Sequence, residues 1–220
     1  MIMEPPEEVP MTESAQQAVA ILRDPSQFQW YVIPIMAFVF YIYSVETQKK
    51  NWTLILTGLA FWGMDWFNEI WNSLVLHFTN YAPVWGAPGK TAFLILAGLN
   101  IEIMFMFAIS GIVWSKMLLP DPKAKILGIN NRLFVSIVGS VFCVIVEYFL
   151  NTAGALTWDY PWWGRGAPWL IFLIGYFTFF VVAFWVHDMK TMRAKVTTVS
   201  ALWAFVLVCL IVFIPVLNWI

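Results

Sequence analysis

Residues 62–77, WGMDWFNEIWNSLVLH, decide what kind of molecule this is. They lie in an apolar run, 52–78, long enough to cross a bilayer, yet they carry two carboxylates. Asp65, Glu69 and Asn72 are spaced four and then three apart, which puts them along one stripe of a helix. An acidic residue at the bilayer centre costs roughly 2.5–3.5 kcal/mol. Two on one helix call for partners, or for a task that needs them.

The surroundings of this run are no less apolar. With 61% hydrophobic residues, 11% charged residues and a mean hydropathy of +0.75, the chain is read as a polytopic, all-α membrane protein. Its net charge of −1 and lack of a basic tract argue against a nucleic-acid partner. Six segments approach the length of about 20 residues that a spanning helix needs. They are residues 28–45, 52–78, 91–117, 132–154, 168–189 and 196–219. Residues 1–27 form an acidic, proline-rich leader followed by a short helix, 11–23, expected to lie at the interface. Residues 28–220 form one six-helix domain. The leader lacks the basic and apolar regions of a cleavable signal. Cys143 and Cys209 fall in apolar runs and read as small hydrophobes.

Charge sets the expected orientation. Nine of the 12 Lys and Arg residues flank the connections after spans one, three and five, so these loops are expected in the cytoplasm. Both termini then face the non-cytoplasmic side, and the expected location is a bacterial inner (plasma) membrane. The outer connections, residues 79–90 and 155–167, are rich in Trp, Tyr, Pro and Gly. Most of those rings fit an interfacial belt. The stretch WDYPWWGR within the second is long enough to fold back as a lid, with Trp158 in it and Asp159 and Arg165 available to pair.

Counting depth at about 1.5 Å per residue brings Glu69, Glu102 and Glu147 to one level on spans two, three and four. Asn100 and Asn151 lie near that level, Tyr176 on span five matches it, and Trp66 stands on the carboxylate helix. Small residues such as Gly58, Gly98 and Ser140 allow these helices close approach. No Lys or Arg lies deep in any span. Either some of these acids hold a proton at neutral pH, or they bind a cation. As a purely structural alternative, the amides of Asn68, Asn72, Asn100 and Asn151 would tie the acids together as interhelical glue.

The residue inventory narrows the chemistry. His77 and His187 lie at opposite membrane boundaries, which argues against haem, and no Glu-x-x-His pair suggests a di-iron bundle. No Ser or Cys shares a depth with a histidine, so nucleophilic hydrolysis is disfavoured. An oxygen-ligated divalent cation on Asp65, Glu69, Glu102 and Glu147 stays open. Asp65-x-x-x-Glu69 lacks the second acidic motif and the phosphate-gripping cations of a membrane prenyltransferase. Carboxylic acids in an aromatic chamber are suited to protonating an alkene or stabilising a carbocation. In that chemistry and in size, the chain is similar to small polytopic terpene and carotenoid cyclases, hydratases and sterol-isomerase-type proteins, with no motif that aligns.

The expected function is a membrane-embedded enzyme acting on an isoprenoid or other lipid. Glu69, Glu102 and Glu147 serve as acid, base or cation stabilisers and Asp65 tunes them. Asn72, Asn100, Asn151, Tyr176, Trp66, Trp158, Asp159 and Arg165 are the expected binding residues. Two rivals use the same acids. One is a proton- or cation-coupled carrier or channel; the other is a non-catalytic subunit bound to a membrane-protein partner or to its own copies.

Overall fold

A single 28-residue helix, α3 (Trp52–Thr79), is the element against which the others are set. The structure, a computed structural model, describes residues 10–220; the acidic opening, residues 1–9, lies outside the described residues. The chain is mostly helical, 66%. Helix α1 (Glu13–Ile21) is followed by α2 (Val32–Gln48) and α3. A hairpin, β1 (Leu94–Leu96) with β2 (Leu99–Asn100), leads into α4 (Ile101–Ser115). A second small hairpin, β3 (Lys125–Ile126) with β4 (Ile129–Asn130), leads into α5 (Asn131–Thr152). Helices α6 (Pro168–Asp188) and α7 (Met192–Val216) complete the bundle. By length and composition α5, α6 and α7 can each cross a membrane, and α2 and α4 are shorter apolar helices.

α3 packs along α4, α6 and α7, while α5 docks mainly on the first half of α6. The α3–α4 crossing is close because glycine faces glycine. A Cβ on Gly111 would lie 2.8 Å from the Gly58 Cα and 2.6 Å from the Phe61 Cβ. Small residues at a crossing let two backbones meet in the absence of a hydrophobic drive between helices. Around that crossing Phe61, Phe107, Phe179 and Phe180 form the aromatic centre of the core.

The two ends of the bundle are built differently. One end is basic: Lys116 donates to the buried Glu46, which also accepts from Asn51 at 3.1 Å, and Arg132 grips Asp188 with two bonds of 2.8 and 2.9 Å. The other end is capped by loops. α1 lies on that cap, burying Ala18 against Ala87 and Leu94. Arg23 donates to the backbone oxygens of Ile95 and Ile220, pinning the cap to the end of α7. The long loops are knitted together by paired backbone bonds between Gly86 and Thr157 at 3.0 and 2.8 Å. Outside the bundle, hydrogen bonds from Ser26 and Gln27 hold the Asp24 carboxyl below the usual carboxylate range.

The third apolar run does not form one helix. Residues 91–100 turn back as the β1–β2 hairpin, and α4 begins only at Ile101. The Asn100 side chain accepts from the Ile103 N–H at 2.8 Å, a regular N-cap, so the chain commits to helix there. Leu94, Leu96 and Leu99 are fully buried. A continuous apolar run of this length satisfies a buried strand as readily as a buried helix.

Candidate functional site

Beneath the cap lies a cavity of about 120 Å³ that opens on one side. α3 contributes Asp65, Asn68 and Glu69; α4 contributes Phe107, Ser110 and Trp114; α5 contributes Cys143 and Glu147. Gly175, Tyr176 and Phe179 of α6 close a third side, and Trp85, Leu156 and Trp163 descend from the cap loops.

The three acids are held in different ways. Glu69 accepts from the Trp85 indole at 2.8 Å and from the Asn72 amide at 3.4 Å. Glu147 accepts from the Trp158 indole at 2.8 Å and from the Tyr176 hydroxyl at 2.5 Å. Every one of these donors is neutral. Among the described residues Asp65 Oδ2 is buried with no hydrogen-bond partner, as is the Trp163 indole N–H. A buried ionised carboxylate without a donor costs several kcal/mol. Asp65 therefore suits a neutral acid whose proton points into the cavity, or a bound cationic species.

Local backbone geometry supports this arrangement. α6 is wound as a π-helix over Ile171–Phe177, a form that often marks a functional site. The loosened winding leaves carbonyls to be satisfied, and Asn68 on α3 donates to those of Ile174 and Gly175 at 3.1 and 3.3 Å. Asn68 in turn accepts from the Trp71 indole at 3.0 Å. Asn72 links α3 to the cap by donating to the Trp85 carbonyl at 2.8 Å and accepting from its N–H at 3.2 Å. Trp85 and Trp163 are stacked with centroids 5.3 Å apart, forming an aromatic roof.

The structure brings together Asp65, Glu69, Glu147, Tyr176, Asn72 and Trp158, and leaves other expected site residues elsewhere. Glu102 does not join the layer. With α4 starting at Ile101, it sits in the first turn and accepts from Thr91 at 2.5 Å, from the Ala92 N–H at 2.8 Å and from Tyr31. Asn100 is the helix cap and Trp66 packs among Ile70, Leu99 and Val206, away from the cavity. Asp159 and Arg165 do not pair: Asp159 accepts from Ser14 at 2.7 and 2.8 Å, and Arg165 donates to Thr152 at 2.8 Å. Asn151 holds the cap loop, donating to the Leu156 carbonyl at 3.1 Å. Among the described residues no group of three or more His, Cys, Asp and Glu is arranged to hold a metal ion, so the four-carboxylate ligand set is not assembled.

Trp85 and Trp163 both line the cavity: Trp163 belongs to the WDYPWWGR stretch expected to fold back as a lid, whereas Trp85 stands among loop rings that fit an interfacial belt. Asn68 was legible only as glue. Its position three residues after Asp65 and four before Asn72, on their stripe of the helix, is the signal that could have promoted it.

A helical bundle with apolar spans around an acid-bearing, aromatic chamber defines the class: an integral membrane protein. The chain belongs to a family described as an uncharacterized membrane protein family, whose model matches residues 12–215. It is 57% identical over 209 residues to an uncharacterized protein of Archaeoglobus fulgidus, covering 95% of this chain and 99% of that one. A second, short A. fulgidus protein is 43% identical over 53 residues, 24% of this chain and 95% of its own. No solved structure matches. These relatives are archaeal, and the expectation of a bacterial membrane finds no support in them.

Proposed function

We propose that the protein is a membrane-embedded enzyme that carries out proton-transfer chemistry on an isoprenoid alkene. Asp65 is the proton donor, and Glu69, Glu147 and the cavity's indole rings stabilise positive charge. The observation that carries this reading is the buried, partnerless Oδ2 of Asp65 on the wall of an apolar, aromatic cavity. A carboxylic acid kept neutral by apolar surroundings is a strong donor, and Trp faces attract cations.

In the step itself, the Asp65 proton adds to one alkene carbon. The π electrons form the new C–H bond and the other carbon becomes cationic. Loss of a proton from an adjacent carbon to the Asp65 carboxylate then gives an isomer and restores the acid; attack of a second double bond on the cation instead forms a ring C–C bond and moves the charge, and the same proton loss to Asp65 ends that course. Neither course needs an oxidant or a reductant. In this reading α2 to α7 all cross the membrane, with the basic end in the cytoplasm and the capped end outside.

The test uses purified protein in lipid vesicles made in D₂O and loaded with squalene or a C40 polyene. Wild type is expected to place carbon-bound deuterium in the lipid, read by mass spectrometry. Asp65→Asn is expected to lose at least 100-fold of that rate. Absence of exchange with every isoprenoid alkene tried, or equal exchange by the variant, rejects the assignment. The carrier alternative separates cleanly, because a carrier would dissipate a pH gradient across the same vesicles and leave the lipid unlabelled.

A further inference from the structure

The cavity is not sealed on all sides. α3 packs closely against both α4 and α6, but α4 and α5 have scarcely any backbone approach to each other. Where they face one another they are joined by a side-chain contact, Trp114 against Phe142 with centroids 5.8 Å apart. Met106 and Ser110 on α4 and Phe142 and Val146 on α5 all line the cavity, and Met106 is 43% and Phe142 54% exposed. The same residues therefore face the chamber and the outside. The outside they face is hydrocarbon: α5 continues this surface with the exposed Val141, Ile145 and Phe149.

The capped end, by contrast, is closed. Trp85 and Trp163 are buried and stacked, Leu156 is buried beside them, and Gly86 and Thr157 bond the two loops together. A molecule arriving from water would have to break this roof.

We propose that the cavity fills sideways: a neutral isoprenoid hydrocarbon enters from within the bilayer through the gap between α4 and α5, without passing the capped end. The chemistry of the gap selects the occupant. Its rim is apolar except for Ser110, whose hydroxyl is engaged by the Met106 carbonyl at 2.8 Å. Among the described residues no Lys or Arg lines the cavity to hold a phosphate or carboxylate headgroup. The double bonds come from the enzyme reading, in which the indole rings stabilise the cation formed from them. The inference deepens the enzyme reading and rests on it for the identity of the chain, but entry can be measured without turnover.

The full chain is reconstituted in phosphatidylcholine vesicles and photolysed with a small apolar aryl diazirine, and insertion sites are mapped by mass spectrometry. Labelling is expected on the interior residues Phe107, Cys143 and Phe179 as well as on the rim. It should fall at least fivefold in Ser110→Trp and Met106→Trp, which narrow the gap from the same helix at different heights. Squalene should compete for interior labelling at least fivefold better than hexadecane. A charged, water-soluble diazirine should leave the interior untouched.

Labelling confined to the outer faces, interior labelling unchanged in both Trp variants, equal labelling by the charged reagent, or equal competition by the two hydrocarbons overturns the proposal. So does cross-linking of two copies through α4 and α5, which would show the gap closed by a second chain. Interior labelling with no deuterium exchange leaves lateral entry standing and removes the chemistry; exchange with no interior labelling does the reverse.

Discussion

Glu46 and Asp65 are almost equally buried, 1% and 2% exposed, and they show two solutions to the same physical problem. At the basic end Glu46 has a cation, Lys116, and an amide, Asn51, both bonded to its oxygens. In the cavity Asp65 has an oxygen with no partner, and its neighbours Glu69 and Glu147 have only neutral donors. Stability alone explains the first arrangement, since a buried acid is tolerable when paired. It does not explain the second. An unsatisfied buried acid weakens the fold, and its persistence points to a use.

The largest expected effect follows directly. Asp65→Asn should lower deuterium exchange by about 10³-fold, within the range for loss of a general acid. The variant's melting temperature in detergent should be no lower than wild type, because no bond to Oδ2 is lost. A variant that loses both activity and several degrees of stability would make Asp65 a structural residue and erase the contrast with Glu46.

Next in size is Gly98→Ala. A Cβ there would lie 2.5 Å from the Asn72 amide, 2.6 Å from Glu69 Oε2 and 2.6 Å from Trp85. All three belong to the network that orients Glu69, so the methyl should displace the carboxylate and cost about 10–100-fold in exchange. Unchanged exchange would remove Glu69 from the chemistry.

At the basic end the effect should appear in stability. Removing one member of a fully buried ion pair costs about 3–5 kcal/mol, but the Lys116 side chain is 45% exposed and can turn to water. Glu46→Gln should therefore cost about 1–2 kcal/mol, lowering Tm by about 2–8 °C, with exchange per folded molecule preserved. A loss of exchange here would tie the basic end to the reaction.

These contrasts were only partly legible in the sequence. Hydropathy and loop charge located α3, α5, α6 and α7 closely, because long apolar runs with basic flanks leave little choice. The grouping of Asp65, Glu69, Glu147 and Tyr176 followed from counting turns along unbroken helices. The same counting misplaced Glu102, since it treated residues 91–117 as one helix. Asn100, a strong N-cap, followed by Glu102 in the first turn, carried the information that the helix starts there. Trp163 lies in the stretch that the sequence offers as a lid, but the role of Trp85 was out of reach, because nothing in a loop's composition says which rings turn inward.

Glu102→Gln is the smallest expected effect and the sharpest check on that correction. Glu102 accepts from Thr91, Ala92 and Tyr31, so it ties the hairpin and α2 to the start of α4. Gln keeps one oxygen as an acceptor and presents an amide where the other stood, so one or two of these bonds are lost at about 1 kcal/mol each. Exchange should stay within about twofold of wild type, since the side chain does not line the cavity. Had the three glutamates shared one layer, this substitution would match Glu147→Gln, which removes the acceptor of either Tyr176 or Trp158 and should cost about 10²-fold. Measuring the pair side by side therefore decides whether proton transfer needs an acid in the cavity wall or is served equally by one at the start of α4 outside it.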